Sequence, residues 1–385
     1  MHVTSRHTIS TLVLIVGLLP GLFQAPARAV NTLPEELGNA EFWQLSATLS
    51  EPDGFFHSDN FVSNERSFQT VISDLSNLRP ASAYIGVGPE QNFTYLIGVK
   101  PKIAFIVDIR RQNLIEHLMY KALFELSKDR ADFLSRLLSR SRPPNVGPDS
   151  SIEELFDAFA AIPVDLDIAQ HNYSAIRSRL LGERGFPLNA ADQASLERVF
   201  DAFATGGGNL TYDGPIPNPG VFTATGLMPT FEELMRGTDK EGKHRSFLAT
   251  EENFRAIQEL ENKNLIVPVV GNFAGPRALR AVGKYLRDHD ATVSAFYTSN
   301  VEQYLFMDDS WRAFYTNVAT LPLNERSVFI RGVIRSRTGE LSPSPALPTT
   351  SRYETGLFPI IKLVDAFKKD EVDSYLDMLI DGTVQ

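Results

Sequence analysis

The stretch Ala83–Asn113, AYIGVGPEQNFTYLIGVKPKIAFIVDIRRQN, decides how the chain is read. It opens with a short apolar run, Ala83–Val87, bounded by a turn signal of Gly86, Gly88 and Pro89. Glu90–Val99 follows with the spacing of a short helix, and Lys100-Pro101-Lys102 breaks it. A second apolar strand, Ile103–Val107, then ends on Asp108. Strand, glycine turn, helix, strand and terminal acid is the plan of a nucleotide-binding βαβ half. Glycines let the backbone come close to a ligand, and a helix start offers unpaired N–H groups, here from Glu90, Gln91 and Asn92. Asp108, 22 residues after Gly86, is placed to accept both hydroxyls of a ribose. The competing reading is an ordinary βαβ turn in which Asp108 caps the next helix. Arg110, at the start of that helix, suits a ligand carboxylate, although a helix-starting arginine is more often a solvated or salt-bridged residue.

Upstream, Asn39–Leu49 reads as an amphipathic helix, and Ser50–Gly54 as a turn. Asp59–Glu65 is a polar knot around Phe61 and Val62. It is placed to close over a ligand at the glycine strand, or to serve as a capping and turn network. Ser63 looks like the start of a helix burying Phe68, Val71, Ile72 and Leu75. Met1–Ala29 reads as an export signal, with a mildly basic start, an apolar run over Leu12–Phe23 and a small-residue cleavage site at Ala27-Arg28-Ala29. That run of about 12 residues is short of the roughly 20 needed to span a bilayer. The expectation is a periplasmic or extracellular protein with no stable membrane insertion after cleavage; the alternative is an uncleaved N-terminal anchor.

Downstream, helical spacing runs from Leu114 to Leu138, and Ser139–Ser151 is a linker by composition. Three helical patterns follow between Ile152 and Ala204, with Asp192 or Ser195 suited to a helix start. Thr205–Tyr212 lacks the Lys-Ser/Thr pair of a phosphate-cradling loop. Asp213–Pro229 is a proline-rich loop. Alternation then resumes: a helix over Phe247–Asn262, a strand over Leu265–Val270 whose Pro268 demands an irregularity, and a helix over Pro276–Asp288. A strand over Thr292–Tyr297 leads into a helix at Val301, and Ser327–Ile334 is the last clear strand. Arg335–Thr355 reads as a loop and Phe358–Ile380 as a closing helix.

The pattern predicts an α/β fold with a doubly wound, mostly parallel sheet and a helical insertion. The expected divisions are a signal over 1–29, a helical cap over 30–81, a first βαβ half over 82–140, linker and insertion over 141–206, and a second half with its C-terminal helix over 207–385. Ligands of such sheets sit at the carboxyl ends of the strands, so Gly86–Gln91, Asp108, Asn272 and Asn300 should meet on one rim. Asn300, Glu302 and Tyr304 follow the strand end, and with Asn272 they are the candidates to orient or deprotonate a nucleophile. The net charge of −10 argues against nucleic acid as a partner. The absence of cysteine removes disulfides, thiolate metal sites and cysteine nucleophiles. The seven histidines make no metal-binding spacing, so no metal is expected.

In YIGVGPEQNFTY and FIVDIRRQN the chain resembles class I S-adenosylmethionine-dependent methyltransferases, which have a Rossmann-like fold. With SDNFVSNE and YTSNVEQYL, these segments are also similar to a family of uncharacterised bacterial proteins. The first resemblance implies S-adenosylmethionine as cofactor, with Gly86 and Gly88 in the cofactor loop and Asp108 on the ribose. Two positions depart from it: Tyr84 stands where an acid is usual, and Glu90 replaces the third glycine. Glu90 would then take over the charge facing the methionine ammonium. The alternative is an exported binding protein for a nucleotide or metabolite that keeps the fold without transfer chemistry.

Overall fold

The computed structural model describes residues 31–215, 228–335 and 352–379. The signal expected over 1–29 and most of the loop at 213–229 lie outside them. The strands are β1 (Ala83–Gly86), β2 (Ile103–Asp108), β3 (Leu210–Thr211), β4 (Gly214–Pro215), β5 (Ile266–Val270), β6 (Val293–Ser299), β7 (Val328–Arg335) and β8 (Arg352–Pro359). Six of them form one sheet in the order β5-β2-β1-β6-β7-β8, parallel except for the β7–β8 pair. The fold is α/β with a Rossmann-like, mostly parallel sheet flanked by helices. The chain runs outward from β1 through β2 to β5, then returns to lay β6 on the other side of β1. This reversal is the switch point at which such sheets open a crevice.

The helices are α1 (Asn39–Leu49), α2 (Ile72–Leu75), α3 (Gln91–Val99), α4 (Arg111–Leu126), α5 (Arg130–Leu137), α6 (Ile152–Ala160), α7 (Leu166–Arg177) and α8 (Ala190–Gly206). They continue with α9 (Phe231–Met235), α10 (Glu251–Asn262), α11 (Ala278–Asp288), α12 (Val301–Met307), α13 (Trp311–Val318) and α14 (Ile360–Lys368). On one flank α3, α4 and α10 pack together through rings of Phe93, Phe124, Phe247 and Phe254. On the other, Phe273 and Phe314 stack beneath Phe296 of β6. Among the described residues no helix is long and apolar enough to cross a membrane.

Several boundaries differ from expectation for local reasons. The helix predicted from Phe247 starts at Glu251, because the Thr250 side chain accepts from the Asn253 amide and caps it there. The helix beginning near Asp192 is capped by Asn189, with Asp192 completing the capping box. Ser63 starts no helix; the turns begin at Phe68. Pro268 needs no irregularity: β5 is an edge strand, and its missing N–H faces away from β2. The carbonyl of Pro268 instead accepts from Ser46 of α1 at 2.5 Å. Arg352–Thr355 is not loop but the start of β8, and the helix expected over Phe358–Ile380 is confined to α14.

Candidate functional site

At the carboxyl ends of β1, β2, β5 and β6 lies a cavity of about 310 Å³. Val87 and Gly88 follow β1, Val107 and Asp108 end β2, Gly271–Phe273 follow β5, and Tyr297, Ser299 and Asn300 end β6. Gly88, Gln91, Asp108, Arg110, Asn272, Asn300 and Tyr304 all line it; Gly86, Glu90, Asn92 and Glu302 do not.

The glycine loop is shaped from within. Asn92 donates to the carbonyls of Val87 (2.9 Å), Gly88 (3.1 Å) and Pro89 (2.8 Å), and accepts from the Tyr84 hydroxyl at 2.7 Å. A Cβ on Gly86 would fall 2.0 Å from Asn92 Oδ1, so this glycine makes room for the loop's own brace. Gly88 holds φ +76°, the left-handed region that glycine enters without strain. His117 Nε2 donates to its carbonyl at 2.9 Å. Burial pushes the His117 pKa down to about 4, so the ring is neutral. Glu90 turns beneath the loop and is fully buried, accepting from the Ser63 amide at 3.2 Å. Burial raises its pKa to about 8, against the pull of that amide. Glu116, likewise buried, makes no hydrogen bond with either carboxyl oxygen and is pushed well up by burial and by Glu90.

Asp108 sits on the rim, but Arg110 closes on it. Oδ1 accepts from the Arg110 backbone N–H (2.9 Å) and Nε (3.1 Å), and Oδ2 accepts from Nη2 (3.1 Å). Arg110 Nη1 donates onward to the carbonyls of Ser58 (3.1 Å) and Asp59 (2.5 Å). Burial alone would lower the Arg110 pKa; the facing Asp108 reverses this and holds it above the ordinary value. The pair therefore pins the segment after Gly54 over the rim. Of four carboxylate lone pairs, Arg110 takes three, leaving one hydroxyl-accepting position instead of the two expected for a ribose diol.

That segment forms the outer wall. Its base is fixed by Glu51, whose carboxylate accepts from the amides of Asn272 (3.2 Å), Arg277 (2.7 Å) and Ala278 (2.7 Å) and so caps α11. Phe56 packs edge-on to Tyr304 with ring centres 5.4 Å apart, and Phe55 is 86% exposed. The polar knot contributes Asn60, Ser63 and Asn64 to the cavity. Asn272 Oδ1 accepts from the Ala274 amide at 2.9 Å, tightening the turn after β5.

Glu302, one residue into α12, is drawn away from the cavity. Arg331 of β7 donates to it from Nε (2.5 Å) and Nη2 (2.7 Å), as do the hydroxyls of Tyr315 and of Thr298 (3.1 Å). Both partners of this ion pair are buried. The side chains that sequence reasoning passed over are Glu65, Tyr297 and Ser299. Tyr297 and Ser299 end β6 and fall under the same strand-end rule that selected Asn300; Glu65 closes the polar knot.

No curated protein matches the chain. A family model described as a domain of unknown function, DUF7790, matches residues 60–145 and 224–374. The two matched segments contain all six strands of the main sheet and pass over α6, α7 and α8. They cover more than half of the chain, which thus belongs to the DUF7790 family.

Proposed function

We propose that the cleft binds a nucleoside-bearing small molecule of the S-adenosylmethionine type, and that the protein transfers its methyl group to an acceptor. One observation carries this reading: residues from four strand ends and the glycine loop share a single cavity at the switch point of the sheet. The wall chemistry fits such a ligand. Phe55, Phe56, Tyr212 and Tyr304 offer ring surface to a base, and Asp108 keeps one acceptor position for a ribose hydroxyl. Bound there, the sulfonium supplies an activated methyl group. The chain's own part is to hold two reactants in one enclosure and keep water out, which is the larger share of catalysis in a displacement of this kind.

A second reading, a binding protein without transfer chemistry, is favoured by the closure of Arg110 on Asp108, which spends most of the carboxylate on holding the outer wall. Thermal melting separates the possibilities. S-adenosylmethionine and S-adenosylhomocysteine at a hundredfold over their dissociation constants should each stabilise the protein by about 2.7 kcal/mol, a rise of several degrees. NAD should give none. No rise with either adenosyl compound removes the methyltransferase reading; a rise without methyl transfer to any acceptor supports the second.

A further inference from the structure

One wall of the cavity has a hydrogen-bond polarity that selects a ligand group. Ser299 Oγ donates to Glu65 Oε1 at 2.5 Å, and the Tyr297 hydroxyl donates to the same oxygen at 2.9 Å. Gln91 Nε2 in turn donates to the Tyr297 oxygen at 3.0 Å. Ser299 Oγ also lies 3.4 Å from Asn300 Oδ1, but the shorter contact to Glu65 takes its single proton, and the Tyr297 proton goes to Glu65 as well, so what the two hydroxyls present to the cavity is oxygen lone pairs. Ser299 reaches this position with φ +53°, at the step from β6 into α12, a left-handed conformation uncommon outside glycine.

Glu65 itself is fully buried, its Oε2 is without a hydrogen-bond partner, and among the described residues no lysine, arginine or histidine lies within ion-pair distance of it. Gly332 of β7 clears the space, since a Cβ there would fall 2.6 Å from Glu65 Oε1. Burial pushes the Glu65 carboxyl up, and the hydroxyls of Ser299 and Tyr297 pull it back. A buried carboxyl held by two hydroxyls and lacking a cation is costly to ionise unless a positive group arrives.

We propose that Ser299 and Tyr297, backed by Glu65, form a subsite for the primary ammonium group of the ligand. An ammonium brings N–H donors to the outward lone pairs and the positive charge that Glu65 lacks. The inference rests on the cleft being the ligand site and adds which end of the ligand lies against β6. It assigns the ammonium to a carboxyl other than Glu90: neither carboxyl lines the cavity, but Glu65 backs it through the lining hydroxyls of Ser299 and Tyr297, whereas Glu90 lies beneath the glycine loop and accepts from the Ser63 amide.

The test is isothermal titration of the full chain with S-adenosylhomocysteine and with its deaminated analogue. Wild type should bind the amine-bearing compound at least tenfold more tightly, and this preference should fall below twofold in Glu65→Gln and in Ser299→Ala. The serine variant serves if the glutamine variant fails to fold. Equal binding of the two compounds by wild type, or a tenfold preference retained in a folded variant, overturns the subsite. If neither nucleoside binds, the cofactor reading fails separately. The subsite is then read by melting with 2-phenylethylamine against 2-phenylethanol at equal concentration. A rise confined to the amine and lost in Glu65→Gln or Ser299→Ala supports it; equal responses overturn it.

Discussion

At the scale of single residues, the acid ending β2 shows how a position picked out by a motif is engaged by its own neighbour. Asp108 was legible from its place after an apolar strand. That Arg110 closes on it was not, because two residues of separation leave the side chains free to diverge; it is the carbonyls of Ser58 and Asp59 that hold the guanidinium in place. Asp108→Asn should strand a buried guanidinium and destabilise the protein by roughly 3–5 kcal/mol. Combining it with Arg110→Met should restore much of that loss, as read by urea unfolding of the single and double variants; simple additivity would show that the pair is not coupled. Glu90 gives a pH prediction. Its folded pKa of about 8 lies above the ordinary 4.5, so the folded state keeps a proton that the unfolded state has released. Its contribution to stability is therefore whole below pH 4.5 and is lost as pH rises to 8, at up to about 1.4 kcal/mol per pH unit. Glu90→Gln should match wild type near pH 4.5 and exceed it increasingly towards pH 8. Parallel stability profiles would contradict this assignment.

At the scale of elements, periodicity located most of the strands and helices, and side-chain caps set ends that periodicity could not. Asn189, Thr250 and Asp129 each stop or start a helix by accepting from amides two or three residues into it. The strand β8 escaped detection because it emerges from a Pro/Ser/Thr-rich stretch, and its identity depends on pairing with β7, Phe329 opposite Phe358. Glu51 was equally illegible: it caps α11, an element 227 positions along the chain at Ala278. Glu51→Ala should cost about 1–2 kcal/mol in urea unfolding. It should also speed hydrogen exchange at Arg277 and Ala278, since the cap ties the outer wall to β5 and α11. Unchanged exchange at those amides would show that the wall is held without it.

At the scale of the whole molecule, the strand order β5-β2-β1-β6-β7-β8 explains why the glycine loop, Asp108, Asn272 and Asn300 converge, although Gly86 at the start of the loop and Asn300 stand 214 positions apart in the chain. The strand-end rule reached that rim from sequence alone. It read Glu90 onto that rim and passed over Glu65 and Glu116, because which acids turn under a sheet is fixed by packing and leaves no periodic trace. The basic, apolar and small-residue order of Met1–Ala29 carries a prediction of its own: expressed in a bacterium, the exported form should begin at Val30 by N-terminal sequencing. Recovery only of a membrane-bound form beginning at Met1 would favour the uncleaved anchor. The central claim is that the switch-point cavity is the ligand site, and hydrogen exchange with and without S-adenosylhomocysteine tests it most directly. Protection should concentrate in 53–65, 86–91, 108–111, 270–273 and 297–304; protection elsewhere, or none at saturating ligand, would contradict it.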